Sequence, residues 1–196
     1  MTFTLPRYHA PLAKFCIWTN GFTDDEIDQI HFMSELNPKK PAKTGSENSN
    51  ADKKIRDSDV VFIEHSQETD WLYQRYGQII PKINYDHFLY DIVGFPAFQY
   101  TEYKEDQHYD WHMDMAMEWQ DNQRKISTIL MLDDPDDYEG GELEVCINGN
   151  LNSTQKLKPK KGELVCFASW MPHRCIPVTS GERRTLVAWI DGPRSI

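Results

Sequence analysis

Ile126-Ser-Thr-Ile-Leu-Met-Leu132-Asp-Asp-Pro-Asp-Asp-Tyr138-Glu-Gly-Gly141-Glu-Leu-Glu-Val145 reads as strand, turn and strand. An apolar run with β-branched residues is stopped by Asp-Pro-Asp-Asp, and a Gly-Gly pair then feeds the next run. The same pattern continues in both directions. Residues 97–103 precede this stretch, and residues 163–167, 173–178 and 185–190 follow it, separated by turn signals such as Asn148-Gly-Asn150 and Ser180-Gly-Glu182. Short strands at this spacing, with residues 126–132 and 141–147 among them, predict a two-sheet β-sandwich or jelly roll.

The first half has a different rhythm. Thr23-Asp-Asp-Glu26 is a capping-box signature, and Ile27, Ile30, Met33 or Ser34, and Leu36 recur at helical spacing. Pro38 should end that helix at Asn37. Residues 38–54 are rich in Lys, Ser, Asn and Pro and predict a flexible loop, a candidate lid over substrate. Residues 60–63 read as a strand. From Asp70 to Phe88, Trp71, Leu72, Tyr76, Ile79, Ile80 and Ile83 keep a helical period, with Pro81 predicting a kink or a break. The expected organisation is one domain over 1–196, mainly β with flanking helices. Residues 1–90 support a core over 91–192.

A chain of 196 residues can bury a sizeable core. No run of about eighteen apolar residues spans a bilayer, and the N-terminus lacks the basic start and apolar core of a signal peptide. Cysteines 16, 146, 166 and 175 are scattered, with no Cys-x-x-Cys pair, and read as reduced, half-buried thiols. The expected setting is cytoplasmic, with no membrane partner. A net charge of −10 argues against nucleic acid as a partner. The lysines between 39 and 54 sit in the polar loop, and the basic residues show no clustering near the candidate site described next.

His112-Met-Asp114 places two potential metal ligands at i and i+2, a spacing that puts both on one face of a strand. His173 opens a later strand-like run and can supply a third. Two imidazoles and one carboxylate, with other positions open, are the ligand set of non-haem Fe(II). Such a centre keeps a local charge of about plus one, which welcomes an anionic co-substrate. Arg183 or its neighbour Arg184 adds a permanently charged, planar fork for a carboxylate. Strand alternation allows only one of the two to point inward. His108 reads as an exposed turn residue, and Cys175 as a buried structural thiol. Tyr109 reads as aromatic packing. Trp111, Met113, Met115, Met117 and Trp119 form either an apolar substrate lip or ordinary packing.

Tyr103-Lys-Glu-Asp-Gln-His-Tyr109-Asp-Trp-His112-Met-Asp114, the 126–145 stretch, and His173-Arg-Cys-Ile-Pro-Val-Thr-Ser-Gly-Glu-Arg183-Arg-Thr-Leu-Val-Ala-Trp189 together resemble the prolyl-4-hydroxylase-like, PKHD-type 2-oxoglutarate/Fe(II) dioxygenases, bacteriophage members included. The resemblance covers roughly residues 90–192. It implies a double-stranded β-helix (jelly-roll, cupin-like) core, with His112, Asp114 and His173 as iron ligands. It selects Arg183, by its spacing to Trp189, as the 2-oxoglutarate anchor, leaves Arg184 to solvent, and makes Tyr103 a second co-substrate contact. Asp106 departs from the family pattern, which carries Gly there. Leu130 and Met131 stand where some prolyl hydroxylases carry tyrosines.

The resemblance further implies Fe(II), 2-oxoglutarate and O2 as reactants, with ascorbate keeping the iron reduced. The co-substrate would leave as succinate and CO2 while a substrate C–H becomes C–OH. Asp114 favours hydroxylation, because halogenating relatives lack this carboxylate. A prolyl or other residue of a peptide or protein is the expected substrate. A free amino acid or small metabolite, and a non-catalytic metal- or peptide-binding module, are the alternatives.

Overall fold

A computed structural model describes residues 15–19, 21–43, 52–115 and 122–194. In chain order its elements are β1 (Phe15–Trp18), α1 (Asp24–Glu35), β2 (Lys40–Pro41), β3 (Arg56–Asp57), β4 (Asp59–Glu64), α2 (Asp70–Ile83), β5 (Ala97–Tyr103) and β6 (His108–His112). They continue with β7 (Asn122–Met131), β8 (Tyr138–Gly140), β9 (Leu143–Val145), β10 (Gln155–Leu157), β11 (Leu164–Ala168), β12 (His173–Cys175), β13 (Val178–Gly181) and β14 (Arg183–Pro193). A seven-stranded sheet runs β1-β11-β7-β14-β5-β4-β2, and a five-stranded sheet runs β10-β9-β12-β6-β3. Every pairing in both is antiparallel. This is the expected jelly roll, flanked by two helices.

Alternation along the strands of the large sheet builds two separate interiors. Leu186, Ala188 and Ile190 of β14 face the helices, with Phe98 and Tyr100 of β5 and Ile126 and Leu130 of β7. They pack against Ile27 and Ile30 of α1 and Leu72, Tyr76 and Ile80 of α2. Ile129, Met131, Val165 and Phe167 face the other way, onto Leu143, Val145 and Leu157 of the small sheet. That second cluster closes one end of the sandwich. At the other end, between β4, β5, β14 and β3, β6, β12, the sheets enclose a cavity of about 1250 Å³.

Helix α1 begins where its capping box requires. The Thr23 hydroxyl accepts from the Glu26 N–H at 3.2 Å, and the Glu26 carboxylate accepts from the Thr23 N–H at 2.8 Å. Leu36 departs from expectation: it caps the helix and is exposed, while Met33 and Ser34 are both buried. Pro81 does not split the second helix. Helix α2 runs through it to Ile83, and a single π turn, Asn84–Phe88, follows. Pro81 has no N–H to give the Gly77 carbonyl, yet burial of Ile79, Ile80 and Ile83 holds the helix on the sheet.

Two loop expectations also change. Residues 173–178 form two strands, β12 and β13, because Pro177 cannot donate to a ladder. Within 38–54, Lys40 and Pro41 pair with Val60 and Asp59 of β4, while residues 44–51 lie outside the described residues. All four cysteines are free, and Cys16 stands directly across from Cys166 in the β1–β11 ladder.

Asp106 keeps the turn that a glycine would make. Its φ is +67°, and the turn is closed by a 2.9 Å bond from the Gln107 N–H to the Lys104 carbonyl. Asp tolerates the left-handed region better than most residues, through its short polar side chain. Asp106→Gly is therefore expected to leave thermal stability unchanged or raise it slightly. Asp106→Val is expected to cost about 1–2 kcal/mol. Equal unfolding midpoints for the two variants would refute this account of the turn.

Candidate metal centre and its cavity

His112 ends β6 and His173 begins β12, and the two are directly paired across the ladder. Asp114 follows β6 by two residues. Its N–H is held by the Ser169 carbonyl at 3.0 Å. The three side chains bring one ligand atom each to within 4.8 Å of one another, a group able to hold a metal ion. His112 Nε2 lies 3.6 Å from Asp114 Oδ1, and His173 Nε2 lies 3.5 Å from Asp114 Oδ2.

Hydrogen bonds fix which atoms are offered. The Nδ1 of His112 meets the Asp110 carbonyl at 2.7 Å, and the Nδ1 of His173 meets the Met171 carbonyl at 2.9 Å. Each ring therefore carries its proton on Nδ1 and presents a bare Nε2, the form that binds a metal. Burial, with the neighbouring His173, lowers the His112 pKa to about 3, so the imidazole stays neutral. Asp114 is buried, which alone would raise its pKa. The adjacent His173 and His112 and the Ser127 hydroxyl outweigh that and hold it below the ordinary carboxylate value. Ser127 donates to Asp114 Oδ2 at 2.7 Å and is itself bonded to Ser169 at 2.9 Å. Two imidazoles offering Nε2 and one ionised carboxylate, brought together by adjacent strands with the remaining positions open to the cavity, suit Fe(II).

The histidine rings are wedged in place. Tyr109 stacks on His112 with centroids 3.5 Å apart and planes 11° apart, and Phe167 meets His173 edge-on at 4.5 Å. In a regular strand Tyr109 and His112, three residues apart, would face opposite ways. The β6–β12 register shifts by one residue between His173 and Cys175, and that bulge brings Tyr109 onto the ligand face. The expectation of plain aromatic packing for Tyr109 is too weak: it buttresses a candidate ligand.

Arg183 and Tyr103 are register partners on β14 and β5, with the guanidinium 5.4 Å from the ring centre. Both line the cavity that holds the triad. Arg183 is only 2 % exposed, and it has no ion pair among the described residues. Its polar contacts among them are weak: Nη2 reaches Met131 Sδ at 3.9 Å, and the Tyr138 phenol lies beside the guanidinium. Nε of Arg183, Oγ1 of Thr185, Nε1 of Trp189 and the Tyr138 hydroxyl are all buried without a partner. A Cβ on Gly141, whose φ is +64°, would come within 2.9 Å of Arg183 Cδ, so glycine there makes room for the guanidinium. Burial pushes the Tyr103 phenol up, which keeps it a neutral donor. A buried cation with the orphaned Thr185 and Trp189 donors on one cavity wall fits an anionic, oxygen-rich ligand.

Arg184 is partly solvated, as expected, but it is not free. It points to the helix side and grips buried Asp133 through Nε at 3.1 Å and Nη2 at 2.5 Å. The expectation that basic residues avoid the site is overturned. Lys40, Lys43, Arg56, Arg124 and Arg183 line the cavity, against Asp114 and Asp191. The clustering is created by tertiary structure, which brings Arg124 and Arg183 beside the 40–56 segment. His108 and Cys175 stay outside the metal group, and Cys175 is buried with its thiol towards the Gly141 carbonyl. Met113 is half exposed at the mouth, and Met117 and Trp119 lie outside the described residues. Sequence reasoning missed Ser127, Thr185, Trp189, Tyr138 and Arg56. Counting by twos from Arg183 would have found Thr185 and Trp189.

Residues 98–191 match the family model described as the 2OG-Fe(II) oxygenase superfamily. A PKHD-type hydroxylase of Prochlorococcus marinus (strain NATL2A) is 38% identical over 84 residues, which is 43% of this chain and 36% of that protein. A second, from Teredinibacter turnerae, is 38% identical over 87 residues, 42% of this chain and 37% of that protein. Aligned segments thus span about a third of the length of these relatives. Among solved structures, a prolyl-4-hydroxylase of Pseudomonas putida superposes with a TM-score of 0.72 at 19% identity, covering 93% of this chain and 94% of that one. A Trichoplax adhaerens prolyl hydroxylase, solved with a hypoxia inducible factor peptide fragment, gives 0.72 at 20% identity, covering 90% and 83%. At those identities the likeness establishes the fold.

Ser127 predicts a measurable effect on the metal. Removing its hydroxyl takes away the hydrogen bond that orients Asp114, so Ser127→Ala should weaken Mn(II) binding by about ten- to a hundredfold. Calorimetric titration against the unaltered chain decides it, and an unchanged affinity would dismiss the orienting role.

Proposed function

We propose that this chain, whose residues 98–191 match the 2OG-Fe(II) oxygenase superfamily model, is a 2-oxoglutarate- and Fe(II)-dependent dioxygenase hydroxylating a residue, prolyl first among them, of a peptide or protein. The observation that carries this reading is the shared cavity. A three-ligand metal group and a buried, unpaired guanidinium face the same enclosed space. A dicarboxylate whose other end chelates the metal answers both.

In this reading His112, Asp114 and His173 hold Fe(II) through Nε2, a carboxylate oxygen and Nε2. Arg183 takes the distal carboxylate of 2-oxoglutarate as a two-point fork. Tyr103, and the orphaned Thr185 and Tyr138 hydroxyls, supply further donors. Iron bound there supplies O2 activation driven by oxidation of 2-oxoglutarate to succinate and CO2, one oxygen atom entering the substrate as hydroxyl. The chain's share is to orient these groups, exclude water from the inner cavity and open one side to substrate. Support for a peptide comes from the rim, where Phe62 and Met113 are more than half exposed beside Pro38 and Pro41. The likeness to solved prolyl hydroxylases adds to it.

We also read the chain as one domain, with 91–192 as the oxygenase core braced by 1–90. The support is that β1, β2 and β4 complete the large sheet. A cytoplasmic setting is supported by the four free cysteines. No helix among the described residues is long and apolar enough to cross a membrane. Ascorbate, as a reductant for the iron, belongs to the same reading.

Succinate release from 2-oxoglutarate, with Fe(II), ascorbate and O2, is expected in the presence of a suitable peptide and absent in His112→Ala. Independently of turnover, 2-oxoglutarate should raise the unfolding midpoint of the Mn(II)-loaded protein. Ligand linkage gives about 2.7 kcal/mol at a hundred times Kd. Arg183→Met should abolish that rise. A Mn(II)-loaded protein indifferent to 2-oxoglutarate would refute the reading.

A further inference from the structure

Arg56 is a second buried cation in the cavity, and the chemistry described so far does not use it. It sits on β3 at the edge of the small sheet, only 7 % exposed, and lines the cavity. Its Nε donates to the Ser58 hydroxyl at 3.1 Å. Its guanidinium lies 4.5 Å from the centre of the Tyr109 ring, and Tyr109 in turn stacks on His112. No described residue forms an ion pair with it. Its neighbour Asp57 is engaged instead by Lys53 at 3.1 Å and by Gln107 at 3.4 Å.

A guanidinium withdrawn from water without an anion is unfavourable, and the face of a tyrosine recovers only part of the loss. Ser58 occupies Nε and the Tyr109 phenol lies against the fork, so among the described residues the guanidinium meets a hydroxyl and a phenol but no carboxylate. A single 2-oxoglutarate cannot serve Arg56 as well. Its keto-acid end belongs at the metal and its far carboxylate at Arg183, on the opposite sheet. The remaining lining adds Lys40 and Arg124 to the positive side, against Asp191 once the metal ligand Asp114 is set apart. Arg124 stacks 4.0 Å from the Trp189 ring centre and has no ion pair among the described residues either. The cavity therefore keeps an unmet demand for negative charge beside the metal ligands.

We infer that Arg56 is a specificity-determining residue that binds a carboxylate of the substrate itself, so that the site selects acidic substrates. The inference rests on the oxygenase reading above, because that reading assigns the other anion to Arg183. The carboxylate can belong to an Asp or Glu side chain near the hydroxylated residue of a peptide, or to the free carboxylate of an amino acid. Tyr109 couples the two places physically, lying between the Arg56 fork and the His112 ring.

The test is calorimetric binding to the full chain loaded with Mn(II) and 2-oxoglutarate under anaerobic conditions. One arm uses N-acetylated, C-amidated alanine peptides with a central proline, with Asp scanned through the flanking positions and each peptide matched to its Asn isostere. The other compares free L-proline with L-prolinamide. In at least one pair the acid should bind about tenfold or more tightly than its neutral partner, the scale of one charged hydrogen-bonded contact. The arm in which this happens identifies the source of the carboxylate. Arg56→Gln should remove the preference, and Arg56→Lys should keep its sign at reduced size. No acid preference in either arm overturns the assignment, as does a full preference in Arg56→Gln. If that variant does not fold, an undiminished preference in Arg56→Lys overturns it instead. The 2-oxoglutarate response of the unaltered protein is read in the same samples. If it is present while acid preference is absent, the Arg56 subsite fails alone; if it is missing, the oxygenase reading fails first.

Discussion

The pairing of β6 with β12 is the constraint on which the candidate site depends. Direct opposition of His112 and His173 sets the separation of two ligands before any metal arrives. The chain turn after β6, pinned by the Ser169 carbonyl, brings Asp114 back to the same point. A strand ladder is rigid and its register is specified by the buried face on either side. The ligand geometry is therefore inherited from the fold, as a preorganised site requires. The one-residue bulge next to it adds what a regular ladder cannot: a stacked tyrosine on the ligand face, three residues from the ligand.

The large sheet makes the complementary contribution through alternation alone. Along β14, Leu186, Ala188 and Ile190 anchor the strand under the helices, while Arg183, Thr185, Val187 and Trp189 line the cavity. The apolar half of the strand holds the polar half in place. That arrangement tolerates a buried guanidinium with weak partners and three orphaned donors nearby, each unfavourable by itself. Concentrating such groups at one place, with Gly141 left bare to admit the Arg183 stem, is the pattern of a site built for a ligand.

Most of the strand content and the triad were legible because they depend on local signals. Residues 97–103 were bounded as observed, the capping box at Thr23 formed as read, and His112-Met-Asp114 needed only the two-residue period of a strand. What was not legible depends on tertiary geometry. Short strands such as β2, β3 and β8 have too few residues to show a period. Pro81 was overridden by burial of the isoleucines around it. Tyr109 packs as an aromatic, as read, but its partner, the His112 ring, is set by a bulge that reverses strand parity. Ser127 carries no metal-ligand signature in sequence and acquires its role only where β7 passes behind Asp114.

The sign of the cavity shows the same lesson in electrostatic form. A chain with a net charge of −10 would be expected to repel acidic ligands. Net charge acts at long range, where salt screens it within about 8 Å at physiological ionic strength. Inside the cavity the relevant charges are the lining groups, which lie closer to a bound ligand than that screening length. There Lys40, Lys43, Arg56, Arg124 and Arg183 outnumber Asp114 and Asp191. Two buried carboxylates outside the cavity have their own cations: Asp133 pairs with Arg184, and Glu102 with Lys39 and Lys104 on the helix-facing side. The fold thus gathers cations around one cavity in a chain that is acidic on average. An anion that enters is held by short-range contacts that the average charge of the sequence does not describe.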